Sequence, residues 1–318
     1  MADRFTALGG AGAAGAGESA EDVRRYLDPK TLVKLARLDL VARLVVEGFV
    51  TGMHQSPYHG FSIEFAEHRE YSPGDDLKHI DWKVYGRTDR YYIKQYEEET
   101  NLVAYLVLDT SESMKYASGE VSKLQYGCFI AASLAYLIIN QQDSVGLSLF
   151  DRTVVKQVPP SSHASHLKLC LHELNRVQPG GDSGIGDVLH DVAERFLRKG
   201  LVIVISDLLG DPEEILVGLR HLRHRKHEVI LFHVLDEFEL AFPFESMAKF
   251  VGLENMGEEL VNPLSIRKAY LEELASYQEA LKRGCRASRI DYVPMDTSQP
   301  LDIALTSYLA TRQEMKLK

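Results

Sequence analysis

The chain has 318 residues, and 36 Lys+Arg against 46 Asp+Glu give a formal net charge of −10 with histidine neutral. That balance speaks against a strongly basic binder of nucleic acid. With 45% hydrophobic and 26% charged residues the composition is that of a globular protein, long enough to bury about 75% of its unfolded surface without staples. The three cysteines, Cys128, Cys170 and Cys285, are far apart and form no CxxC pair, which points to a reduced, cytoplasmic setting rather than to a disulfide framework or a zinc site.

Residues 1–20 carry a Gly/Ala run and no basic segment ahead of an apolar one, so they read as a disordered tail and not as an export signal. The longest apolar run, Cys128 to Ile139, is broken by Ser133 and falls short of the ~20 residues of a spanning helix. It is expected to be a buried core helix, leaving the chain without a membrane segment. Residues 21–100 form an extension, helical and then β-rich. Asp28-Pro29 supplies an N-cap and a first-turn proline, and Leu32, Leu35, Leu38, Val41, Val45 and Val46 recur at helical spacing up to Gly48. From Gly52 to Gln95 the chain turns to Tyr, His, Asp and Gly, with a Pro73-Gly74-Asp75-Asp76 turn and a strand-like run over Tyr91–Tyr96.

From residue 101 to 318 strands alternate with helices. Strands are predicted at Leu102–Leu108, at Val145–Phe150 and Thr153–Val158 (a hairpin), at Leu201–Ser206, at Glu228–Val234, as two short strands between Lys249 and Leu260, and at Arg289–Val293. Helices are predicted at Ser122–Gln142, His163–Asn175, Gly184–Arg198, Asp211–Arg225, Ser265–Arg283 and from Pro300 onward. Each crossover helix must lay its apolar stripe back on the sheet, so the fold class is α/β, a doubly wound and mostly parallel sheet with one antiparallel edge. Ligands of such sheets bind beyond the carboxyl ends of the strands, where the winding reverses.

Two strands run directly into acids at that end. Leu102–Leu108 leads into Asp109-Thr110-Ser111-Glu112-Ser113, and Leu201–Ser206 leads into Asp207. Between them Gly180-Gly181-Asp182-Ser183-Gly184 is a flexible loop that offers a further hydroxyl. Asp109, Ser111, Ser113, Ser183 and Asp207 are all hard oxygen donors, which suits Mg²⁺, with Mn²⁺ or Ca²⁺ as alternatives. A ligand charge of only about −2 leaves the cation able to recruit a carboxylate from a protein partner, and no nucleophile with an adjacent base is evident. The expectation is a metal-dependent interaction module and not an enzyme. A metal-dependent hydrolase using acids of the extension, or a purely structural subunit, are the alternatives.

These five residues on an α/β strand order resemble the metal-ion-dependent adhesion site of von Willebrand factor type A domains. The preceding stretch is similar to bacterial proteins carrying domain of unknown function 58, through Glu64-Phe65-Ala66-Glu67-His68-Arg69, Tyr71-Ser72-Pro73-Gly74-Asp75-Asp76, Ile80-Asp81-Trp82, Arg87-Thr88 and Tyr96-Glu97-Glu98-Glu99. The resemblance implies sheet order 3-2-1-4-5-6, a metal site between the first and fourth strands, and a role as adaptor or chaperone-like partner of a MoxR-type AAA+ ATPase. It departs at Ser183, where threonine is usual in the family site; serine offers the same oxygen on a less pre-organised loop.

Simpler readings compete. Asp and Ser after a strand often only cap the next turn. Pro73–Asp76 fits a tight turn. Alternatively Asp75, Asp76 and Asp81, with His68, form a second acidic or partner-docking surface, or Arg69 and Arg87 neutralise them in a buried network with Trp82 as packing anchor. The basic cluster Arg220, Arg223, Arg225 and Lys226 ends a helix, where cations complement the dipole and face solvent.

Overall fold

The computed structural model describes residues 38–55, 68–70, 92–94, 102–251 and 257–316. A helix, α1 (Leu38–Gln55), and two short antiparallel strands, β1 (His68–Glu70) and β2 (Tyr92–Lys94), precede the main domain. The main sheet is built from β3 (Val103–Asp109), β4 (Ser144–Phe150), β5 (Val154–Ser161), β6 (Leu201–Ser206), β7 (Glu228–Leu235) and β10 (Asp291–Asp296). The helices are α2 (Lys123–Asn140), α3 (Ala164–Arg176), α4 (Ile185–Arg195), α5 (Pro212–His224), α6 (Glu237–Ala241), α7 (Pro263–Ala287) and α8 (Asp302–Lys316), and a small hairpin pairs β8 (Ala248–Val251) with β9 (Glu258–Val261).

The sheet order is β10-β7-β6-β3-β4-β5, with β5 antiparallel to β4 and the remaining pairs parallel. Counting only the six sheet strands, this is 3-2-1-4-5-6, the doubly wound order expected. Every residue of β3 and of β6 is buried, as a strand covered by helices on both faces must be. The alternation sorts them cleanly. Ala104, Leu106, Leu108, Ile203 and Ile205 share one core with α1, α2, α3 and α8, whereas Tyr105, Val107, Val202 and Val204 share the other with α4, α5 and α7. Val41, Ala42 and Val45 of α1 are fully buried in the first core, packed with α2.

Three boundaries differ from the sequence reading for physical reasons. Helix α1 runs through Gly48 to Gln55, because an isolated glycine costs only about 1 kcal/mol and a packed helix absorbs it. Strand β5 continues across Pro159-Pro160 to Ser161; it is an edge strand, so the missing N–H groups need no partner there. Pro294 is likewise tolerated in β10, the opposite edge. Among the described residues no helix is long and apolar enough to cross a membrane.

Candidate metal site at the carboxyl ends of the central strands

Strands β3 and β6 are hydrogen-bonded neighbours, in register from Ala104↔Leu201 to Leu108↔Ile205. Both end at the same edge of the sheet, which delivers Asp109 and Asp207 side by side. The parallel crossover through α4 has its entry loop pinned there by backbone bonds: Gly180 N–H donates to Thr110 O at 2.9 Å, and Glu112 N–H donates to Gly181 O at 2.9 Å. Thus the loop that carries Ser183 is zipped onto the Asp109–Ser113 turn, although the two are some seventy residues apart in sequence.

Asp109 is wholly buried. Its Oδ1 accepts from Ser111 N–H at 2.9 Å and its Oδ2 from the Ser206 hydroxyl at 2.6 Å. The first bond is the turn-capping role of the simpler reading, but capping does not occupy the serines. Ser111 stands at the start of a short 3-10 turn (Glu112–Lys115) without capping it, and its Oγ lies instead 3.0 Å from Ser113 Oγ. Ser183 Oγ is buried with no hydrogen-bond partner among the described residues, a state that costs about 1–3 kcal/mol unless another ligand completes it. Burial, and then the charge of Asp207, push the Asp109 carboxyl well above the ordinary carboxylate range.

The donors therefore fit a hard divalent cation. Two adjacent buried carboxylates repel one another, two hydroxyls already face each other, and a third hydroxyl is buried without a partner among the described residues. Asp109, Ser111, Ser113, Ser183 and Asp207 would hold the ion. A cavity of about 420 Å³ reaches Ser113 and Asp207 from the side of α7, which provides access even though Asp109 and Ser111 have no exposed surface.

Four residues around the site, Lys123, Glu239, His233 and Tyr277, went unread in the sequence. Lys123, 3% exposed, donates to Asp207 Oδ2 at 2.7 Å and to Glu239 Oε1 at 2.9 Å; despite desolvation, Asp207 and Glu239 hold its ammonium charged. A signal existed: Lys123 is the first residue of α2, and a cation at a helix N-terminus opposes the dipole unless an acid faces it. Glu239 also closes a capping box on Asp236 N–H, a pattern visible as Asp236-x-x-Glu239. His233, buried in β7, meets the Asp207 carbonyl at 3.0 Å and the Tyr292 hydroxyl at 2.7 Å, and desolvation lowers it to about 4, so it stays neutral. Tyr277 of α7 donates to the carbonyls of Leu208 and Gly210. It clamps a loop in which Leu208, fully buried, is held at φ 55°, a left-handed conformation that costs a non-glycine residue about 1–2 kcal/mol.

Of the second group of sequence candidates, Arg69 lies in β1, whose side chains are not described, and Asp75, Asp76, Asp81, Trp82 and Arg87 lie outside the described residues. The basic cluster behaves as a helix end. Arg220 pairs with Glu213 at 2.7 Å, Arg223 with Glu228, and Arg225 approaches Glu194 at 3.7 Å.

Comparison with known proteins matches residues 67–280, more than half of the chain, to the family described as protein of unknown function DUF58. Uncharacterized proteins of Mycobacterium tuberculosis and Mycobacterium bovis are 28% identical over 270 residues, covering 82% of this chain and 84% of theirs. Among solved structures, the conserved hypothetical protein BatB of Bacteroides thetaiotaomicron aligns with TM-score 0.45 and 16% identity, over 67% of this chain and 99% of that one. An aerotolerance-related membrane protein of Bacteroides fragilis aligns with TM-score 0.44 and 19% identity, over 68% and 100%. The fold assignment rests on strand order and register rather than on these likenesses. The protein-family match extends from the extension through the strands that carry Asp109 and Asp207, and the chain belongs to the DUF58 family.

Proposed function

We propose that the protein is a Mg²⁺-dependent protein-interaction module and not an enzyme. Asp109, Ser111, Ser113, Ser183 and Asp207 hold the ion, which when bound supplies a positive face for a carboxylate from a protein partner. The observation that carries this reading is the buried Ser183 hydroxyl, without a hydrogen-bond partner among the described residues, on a loop fastened to the Asp109–Ser113 turn. A loop that merely connected α3 to α4 would have no reason to bury a hydroxyl there unsatisfied.

The chain's own groups do the rest. Ser206 and the Ser111 amide orient Asp109, Lys123 orients Asp207, and Tyr277 fixes the backbone that follows Asp207. The resemblance drawn from the sequence makes a MoxR-type AAA+ ATPase the first partner to test.

Capture of that ATPase on the immobilised full chain is expected in Mg²⁺ and lost in EDTA. It is also expected to be lost in the Asp109→Ala, Ser111→Ala double variant with the fold retained by circular dichroism. Capture that persists unchanged in the double variant contradicts the proposal.

A further inference from the structure

Lys123 stands outside the five oxygen ligands, yet it is the one cation buried among the described acids of the site. Its ammonium sits 2.7 Å from Asp207 and 2.9 Å from Glu239, and its side chain is 4% exposed. A lysine placed so costs desolvation and opposes the dipole of α2, so the fold accepts it only for what it does to the neighbouring charges. We propose that Lys123 is a built-in counter-ion that sets the charge of the site: it keeps the metal-free site folded, weakens cation binding, and strengthens capture of an anionic partner group. This rests on the metal-site reading of the preceding subsection.

The signs follow from formal charge. Asp109, Asp207 and Glu239 contribute three negative charges and Lys123 one positive, so a divalent ion brings the cluster to neutrality and a carboxylate from outside meets no net repulsion. Without Lys123 the three acids exceed the ion by one negative charge, which holds the cation more tightly and repels an incoming carboxylate. Without the charge of Glu239 the loaded cluster is left with one positive charge, and both effects reverse. A unit charge a few ångströms from an ion in a partly buried site is felt as at least about tenfold in affinity. A lysine that served packing alone would shift stability but would not move cation and anion affinity in opposite directions.

The test compares the full chain with Lys123→Met and Glu239→Gln. Mg²⁺ affinity is read by calorimetry, acetate affinity for the Mn²⁺-loaded protein by water-proton relaxation, and thermal unfolding is followed in EDTA. Lys123→Met is expected to bind Mg²⁺ about tenfold more tightly, to bind acetate several-fold more weakly, and to melt lower in EDTA with the loss recovered by Mg²⁺. Glu239→Gln, which removes a negative charge and leaves Lys123 in place, is expected to weaken Mg²⁺ and strengthen acetate, and it decides the sign should Lys123→Met not fold without metal. Mg²⁺ affinity that is unchanged or weaker in Lys123→Met, or stronger in Glu239→Gln, while the wild type binds, overturns the counter-ion role alone. Absence of Mg²⁺ binding in the wild type overturns the metal reading and both affinity effects with it.

Discussion

Asp109→Asn is expected to raise the stability of the metal-free protein and to abolish the stabilisation by Mg²⁺ expected of the wild type. The carboxylate is wholly buried beside Asp207, and a neutral amide of the same shape removes the repulsion while its oxygen can still accept from Ser111 N–H. In EDTA the gain is expected to be on the order of 1–3 kcal/mol. In Mg²⁺ at about a hundred times its dissociation constant, the wild type gains about 2.7 kcal/mol by mass action, and the variant gains nothing. The pH dependence has a definite sign. Asp109 is pushed up from an ordinary 3.8 to about 7, so between those values the folded state holds a proton that the unfolded state has released. The group's contribution to stability is present below about 4 and is lost as pH rises toward 7. Urea unfolding in EDTA across that range should therefore show a downward slope in the wild type that flattens in Asp109→Asn. A variant less stable than wild type in EDTA, with the slope unchanged, would show that the buried pair is not under charge strain.

Gly200→Ala is expected to be the most damaging small substitution in the domain. Gly200 sits just before β6, and a Cβ there would lie 2.0 Å from the Val103 carbonyl oxygen and 3.0 Å from its carbon. That obstacle is backbone of the neighbouring strand and cannot rotate away. Gly200 O also receives Glu228 N–H from the strand on the other side, so the start of β6 is held from both directions. Relief requires β6 to part from β3, at a cost of about 3 kcal/mol or more, the upper end for overpacking. Because β6 carries Asp207 at its far end, Mg²⁺ binding should weaken along with the fall in the urea midpoint. Gly119→Ala, where a Cβ meets nothing within 4 Å, is the control and should stay within about 0.5 kcal/mol of wild type. Equal midpoints for the two variants would contradict this packing of β3 against β6.

The fold was legible because its signals are local and periodic. The runs at Leu102–Leu108 and Leu201–Ser206 are continuous and apolar, as strands buried on both faces must be, and each ends on an aspartate. Strand order, which no local pattern states, came from resemblance and is seen in the register of β3 with both β4 and β6. The candidate ligands were legible as residue types at strand ends, but their electrostatics were not. Lys123 and Glu239 lie 84 and 32 residues from Asp207 in sequence, and nothing in periodicity says that Asp207 and Glu239 converge on the Lys123 ammonium. His233 and Tyr277 are hidden for the same reason, inside a buried strand and on a helix face that read as packing. Helix and strand ends were the least legible, since Gly48 and Pro159-Pro160 are breakers only where tertiary packing does not outweigh them.

Crystals of the full chain grown with Mn²⁺ and measured at the manganese absorption edge test the central claim directly. The expected result is one strong anomalous peak ringed by oxygens of Asp109, Ser111, Ser113, Ser183 and Asp207, with ligand distances near 2.2 Å, on the order of those of hard divalent ions. A fully occupied manganese elsewhere on the chain, with Ser183 Oγ bonded instead to a protein group and Lys123 alone balancing Asp207, would contradict it.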